Sequence, residues 1–252
     1  MYYKETPIII FDLGNVLVDV NISNIHKACE DLGFTDGTFD MLNFNHCIDG
    51  LCNFGIMDVL PAIDMIYGHK RGTTISAEEY DAKKIELRKV WCSEECVTPN
   101  KEIIDYFWSL LYKSTKCNFE DKIFFMFASN LGKDHHNYIK KFHLCFRHKH
   151  VSKVLSYEVG SVKPQALFFK VLKDEILSLK TLEGRDLSIL YIDDRPENLS
   201  AFEKHINFCN VECFNYNSNW DAQSKAVEKI HSFIESCKGP SYDTKKSNAE
   251  IC

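Results

Sequence analysis

No apolar run in this chain approaches the length that crosses a bilayer. The first residues, Met1-Tyr2-Tyr3-Lys4-Glu5-Thr6, have neither the basic start nor the apolar core of a secretory signal. Basic charge is in short supply too. Thirty lysines and arginines stand against 36 aspartates and glutamates, a formal net charge of −6, which is the wrong balance for a nucleic-acid binder. No Cys-x-x-Cys occurs among the 11 cysteines, and their closest pairs are Cys47/Cys52, Cys92/Cys96 and Cys209/Cys213. That spacing argues against a zinc site, and an odd, irregular set argues against a disulfide framework. No internal repeat is visible, which excludes a solenoid. These absences predict a protein with reduced thiols, no nucleic-acid partner and no membrane span. It is expected to work in the cytoplasm, or in the cytosol of another cell if delivered there by a route that leaves no readable signal.

What the chain does have is a set of short, mainly apolar runs. Ile8-Ile9-Ile10-Phe11, Ile123 to Ala128 and Leu187 to Ile192 read as strands buried on both faces. Leu144-Cys145-Phe146 and Val211 to Phe214 read as weaker ones. Helical patterns alternate with them: Pro99 opens a helix with Ile103, Phe107 and Leu111 on one side, and Asp134 to Phe142 is a short helix. Lys163-Pro164 begins another helix, Pro196 opens a further one, and Ala222 to Ile234 form the last. Alternating strands and helices predict an α/β fold with a Rossmann-like parallel sheet. Residues 21–98 break the alternation. Ile25, Cys29 and Leu32 mark one helical face, and Met57, Leu60, Ile63 and Ile66 mark another. Ser76-Ala77-Glu78-Glu79 has capping-box spacing ahead of Leu87, Val90 and Trp91. This segment is expected to be an inserted helical cap over the strand ends. Residues 1–20 and 99–238 then form the core, and the polar stretch 239–252 is expected to be a disordered tail.

Polar groups stand where the buried strands end: Asp12 after the first, Ser129-Asn130 after the second, Asp193-Asp194 after the third. In a parallel sheet these ends share one edge, where ligands bind. Asp12 alone reads equally as a turn residue. Together the three carboxylates would repel one another unless a cation joined them. Magnesium suits hard oxygen ligands and keeps room for phosphate oxygens. Lys163 and the Ser129 hydroxyl would complete a site for a phosphoryl dianion, and a carboxylate can serve as its nucleophile. The histidines His135, His136, His143, His148 and His150 lack ligand spacing and read as parts of a solvated helix and loop.

Asp12-Leu13-Gly14-Asn15-Val16, Ser129-Asn130, Lys163-Pro164 with Phe169, and Asp193-Asp194 with Asn198 resemble, in order and spacing, the four motifs of the haloacid dehalogenase superfamily. The resemblance covers about residues 7–215 and is closest to bacterial glucose-1-phosphate phosphatases and the phosphatase domain of soluble epoxide hydrolase. It implies that Asp12 is the nucleophile and a magnesium ligand, and that Gly14 offers its carbonyl to the metal. Asp194 would be a second carboxylate ligand, with Asp193 ligating directly or through water. Ser129, the backbone around Asn130, and Lys163 would hold the phosphoryl group, and Asn198 would support the metal site.

One position departs from much of that family. Where a second aspartate commonly acts as general acid and base, this chain has Gly14. The glucose-1-phosphate phosphatase subgroup resembles it in this. The reading is therefore a magnesium-dependent phosphomonoester hydrolase that works through an aspartyl-phosphate and favours good leaving groups. Its substrate would be an anomeric sugar phosphate or other small phosphorylated metabolite, or a phosphotyrosine protein. The alternative is a catalytically weak binding module that keeps the fold. If another acid exists, a cap residue such as His46 is the first candidate.

Overall fold

The computed structural model describes residues 3–34, 50–116, 122–184, 186–208, 210–217 and 221–239. The turn expected at Asp36-Gly37, His46, and the tail beyond Gly239 lie outside the described residues. Strand β1 (Thr6–Phe11) is followed by a three-residue strand, β2 (Val18–Val20), which pairs antiparallel with β3 (Val97–Pro99). Four further strands, β4 (Phe124–Ser129), β5 (Val151–Leu155), β6 (Leu187–Asp193) and β7 (Asn210–Asn215), join β1 in a five-stranded sheet ordered β5-β4-β1-β6-β7. All of its pairings are parallel. The expected α/β architecture with a parallel sheet is the one observed.

The apolar runs are continuous because both faces of the sheet are covered. Side chains alternate along a strand, so Ile9, Phe11, Phe125, Phe127, Leu190 and Ile192 enter one core, while Ile8, Ile10, Met126, Ala128, Ile189 and Tyr191 enter another. Helices α5 (Lys101–Lys116) and α10 (Ala222–Ser236) cover the first face with Phe107 and Ile230. Helices α8 (Ala166–Glu183) and α9 (Pro196–His205) cover the second with Phe168, Phe169 and Phe202. Between β2 and β3 the described chain is mainly helical: α1 (Ile22–Asp31), α2 (Gly50–Asn53), α3 (Val59–Tyr67) and α4 (Ala77–Trp91). Ser76 caps α4 as its sequence predicts, its side chain accepting from the Glu79 amide at 3.2 Å.

Three local expectations fail. Leu144-Cys145-Phe146 is not a strand but part of a 3-10 turn, Leu144–Arg147, in which the Cys145 amide donates to His143 Nδ1. The edge strand is Val151–Leu155 instead, where half-exposed Ser152 and Lys153 hide the signal. Pro99 closes β3 rather than opening a helix, and α5 starts at Lys101. Lys163 likewise precedes its helix, which begins at Ala166. A residue before proline is turned away from helical backbone, so Lys163 sits in the loop and its side chain is free to reach back over the sheet.

Candidate active site

Helix α6 (Lys133–Ile139) follows the end of β4, and a four-residue helix, α7 (Ser156–Val159), follows β5. The site lies at the carboxyl edge of the sheet, built on its three central strands. Register aligns Phe11 with both Phe127 and Ile192, so Asp12 stands next to the ends of both neighbours. Its amide donates to the Ile192 carbonyl at 2.8 Å, and its Oδ1 accepts from the Leu13 amide at 2.7 Å. The rigid strand thus fixes both the backbone and one oxygen of this carboxylate.

Lys163 is the hub. Its ammonium, with no exposed side-chain surface, lies 3.0 Å from Asp12 Oδ2 and 2.6 Å from Asp193 Oδ2. It also donates to the Ala128 carbonyl at 2.8 Å and approaches the Tyr191 hydroxyl at 3.3 Å. Asn130 holds the lysine backbone from both sides: its Oδ1 accepts from the Lys163 amide at 2.7 Å, and its Nδ2 donates to the Lys163 carbonyl at 3.0 Å. The Asn130 side chain therefore positions the lysine.

Asp193 is fully engaged. Oδ1 accepts from the Arg195 amide and Asn198 Nδ2, both at 2.9 Å, and Oδ2 accepts from Lys163 and the Tyr191 hydroxyl. Asp194 instead faces the cleft and is held by Asn15, whose Nδ2 donates to Oδ2 at 3.0 Å. Asn15 adopts left-handed backbone, with φ of +56°, and asparagine tolerates this better than most residues. The turn after β1 thereby aims its amide at the end of β6. The structure brings together Asp12, Ser129, Asn130, Lys163, Asp193, Asp194 and Asn198, with Gly14 on the cleft wall. Tyr191 and Asn15 carry parts of the network that sequence reading did not assign. Tyr191 was accessible from strand periodicity, since residues two apart share a face and Asp193 is two residues on.

The electrostatics follow from burial. Burial pushes the Asp12 carboxyl up to about 7; Lys163 pulls against this, while Asp193 adds to it. Burial also raises Asp194. Asp193 is held below its ordinary value although burial opposes this, because Lys163 and Tyr191 both favour its ionised form. The desolvation of Lys163 is overcome by Asp12 and Asp193, which keep the ammonium charged. One lysine thus meets three carboxylates, and oxygens of Asp12, Asp193 and Asp194 lie within 4.8 Å of one another. This donor set, hard oxygens with unbalanced negative charge, fits a divalent cation. The Ser129 hydroxyl is fully buried and lies beside the Asp12 carboxylate, whose ionised form it favours. A hydroxyl both donates and accepts, so it also fits an incoming oxygen-rich group.

Two expected solvated residues are buried instead. His135 donates from Nε2 to the Trp91 carbonyl at 3.0 Å and stacks on the Trp91 ring at 5.0 Å, and burial lowers its pKa to about 4. His136 lies 2.9 Å from the Tyr157 hydroxyl, which donates to Glu158, and its pKa is also lowered to about 4 by burial. Their helix is amphipathic with too few turns for the pattern to show in sequence. Among the described residues, the cluster of potential metal-ligating side chains is the aspartate one.

No family model matches the chain, and no curated protein is significantly similar. Solved structures are. The HAD family enzyme BT-2542 from Bacteroides thetaiotaomicron superposes with a TM-score of 0.58 over 86% of this chain and 98% of that one, at 18% identity. The fold is that of the haloacid dehalogenase enzymes. A predicted HAD-like family hydrolase from Porphyromonas gingivalis gives a TM-score of 0.51 at 16% identity, covering 90% of this chain and 98% of that chain. The L-2-haloacid dehalogenase PA0810 gives 0.54 at 10%, covering 90% of this chain and 99% of that one. Identities this low carry the fold and leave the chemistry to the residues. No helix of the described residues is long and apolar enough to cross a membrane.

Proposed function

We propose that this chain is a magnesium-dependent phosphomonoester hydrolase of the haloacid dehalogenase superfamily, with Asp12 as its nucleophile. The observation that carries the reading is Lys163: a buried ammonium 3.0 Å from Asp12 and 2.6 Å from Asp193, beside a cluster of three carboxylates that it cannot neutralise alone. The acid cluster favours metal-assisted phosphoryl transfer over dehalogenation, which has no use for it. BT-2542, which shares the fold, has been crystallised with magnesium and inorganic phosphate.

In this reading Asp12, the Gly14 carbonyl and Asp194 hold the cation, and Asp193 anchors Lys163 and the start of α9. When bound, magnesium would offset the phosphoryl charge and the charge of the carboxylates. An Asp12 oxygen attacks phosphorus, the bond from phosphorus to the leaving oxygen breaks, and that oxygen departs with the electron pair. Lys163 and the Ser129 hydroxyl receive the phosphoryl oxygens. Water then attacks the aspartyl-phosphate, releasing phosphate and restoring Asp12. The helices between β2 and β3 serve as a cap, closing a cleft of about 190 Å³ over the strand ends. Hydrolysis of an aryl phosphate that is abolished by chelator and restored by magnesium is the expected result. Equal rates with and without metal would refute the reading.

A further inference from the structure

We infer that the leaving group enters an apolar slot, and that the substrate is an aryl phosphate. This rests on the phosphatase reading above. The slot is the part of the cleft beyond the carboxylates, walled among the described residues by Ile22 and Ile25 of α1, Trp91 of α4, Val97 of β3 and Ile139 of α6. Among the described residues, Asn53 is a polar group on this wall. His135 is another, but its Nε2 proton is already committed to the Trp91 carbonyl and its ring is stacked on the indole.

Three properties of the slot select the ligand. First, its size: the whole cleft, phosphoryl site included, holds about 190 Å³, well below the roughly 300–1,000 Å³ of pockets that hold drug-sized ligands, so beyond the phosphoryl group there is room for one small group. Second, its polarity: a hexosyl group would carry several hydroxyls into it, and each one left without a partner costs roughly tenfold to a hundredfold in affinity. A flat apolar ring loses nothing there and gains from removal from water. Third, its proton supply: Gly14 has no side chain to protonate a departing oxygen. A phenol, with pKa about 10, leaves with far less help than an alkyl alcohol. The apolar wall of the slot and the glycine at position 14 thus select the same chemistry independently.

The test uses phosphonates, which bind without turnover. Calorimetry on the full chain with magnesium would compare methylphosphonate, phenylphosphonate and a hexose 1-phosphonate. The expected result is phenylphosphonate tighter than methylphosphonate by about tenfold or more, with the hexose compound no tighter than methylphosphonate. In Ile22→Asn the phenyl advantage should vanish while methylphosphonate affinity stays the same, and Ile22→Leu should retain the advantage. Unchanged methylphosphonate binding also shows that the variant is folded. If methylphosphonate binds but the phenyl group adds nothing, or the hexose compound binds best, the aryl slot is wrong and the phosphatase reading survives. If no phosphonate binds, the phosphatase reading falls and the slot with it. A peptide carrying phosphonomethyl-phenylalanine separates the two sources of aryl phosphate. Tighter binding than phenylphosphonate supports a tyrosine side chain, and weaker binding supports a free small molecule.

Discussion

At the scale of single residues, the site depends on how few cations serve how many acids. Lys163 has three ammonium protons and four oxygen neighbours, all buried. Lys163→Ala is expected to lower kcat by about 10²–10³-fold, the usual cost of one electrostatic donor in such a site. Lys163→Arg should recover little of it, because a planar guanidinium does not fit a cage shaped for a point charge. Near wild-type kinetics in either variant would remove Lys163 from the mechanism. Gly14 allows a gain-of-function test. A Cβ there would meet only Val20 Cγ2, at 3.8 Å, which is ordinary contact. Gly14→Asp is therefore expected to fold and to place a carboxyl at the cleft. General acids contribute roughly 10²–10⁴-fold, so rates on alkyl phosphates should rise more than rates on phenyl phosphate. An equal effect on both would show that another group already donates the proton.

At the scale of elements, legibility followed burial. The three central strands were readable because both faces are covered, and Asp12, Ser129 and Asp193 could be placed from where those strands stop. The edge strand Val151–Leu155 was not, since its pattern mixes exposed and buried positions. Neither were β2 and β3, whose three residues each are too short for any period to show. Lys163 was found by type and order, but its loop position and its clamp by Asn130 come from a tertiary contact 33 residues away. Helix α6 was legible as a helix and misread as solvated, and this has a measurable consequence. His135 and His136 are both neutral in the fold, with pKa lowered from 6.5 to about 4. The unfolded chain therefore takes up their protons first. Their contribution is fully present above pH 6.5 and is lost as pH falls toward 4. Each makes stability fall by up to ~1.4 kcal/mol per pH unit in that window. Denaturant melts at stepped pH should show this slope, and His136→Gln should flatten it. A slope between pH 6.5 and 4 that is the same in His136→Gln as in the parent chain would contradict the burial of that ring.

At the scale of the whole molecule, metal, charge and pH are linked through Asp12. Its native pKa of about 7 lies above its ordinary value. Without metal, that contribution favours folding at low pH and is lost as pH rises through about 7, when the buried carboxylate ionises among its neighbours. This slope is opposite to that of the histidines and runs over much the same window, from 3.8 up to about 7, so without metal it offsets part of theirs. A bound cation reverses it by favouring the charged form. Magnesium is thus expected to release a proton on binding near pH 6, to bind more tightly at pH 8, and to raise the melting temperature more at pH 8 than at pH 6. Calorimetry in buffers of different ionisation enthalpy reads the released proton directly. Binding that is independent of pH across this range would show that Asp12 is not a ligand.

The account stands or falls on a covalent bond at Asp12. The most direct measurement is acid quench during turnover of phenyl phosphate with magnesium, followed by mass spectrometry of the digested chain. The account predicts one added phosphoryl group on the peptide that contains Asp12, lost on treatment with hydroxylamine and absent from a folded, inactive Asp12→Asn variant. Turnover with no such adduct, with the phosphoryl group on another residue, or retained in Asp12→Asn would contradict it.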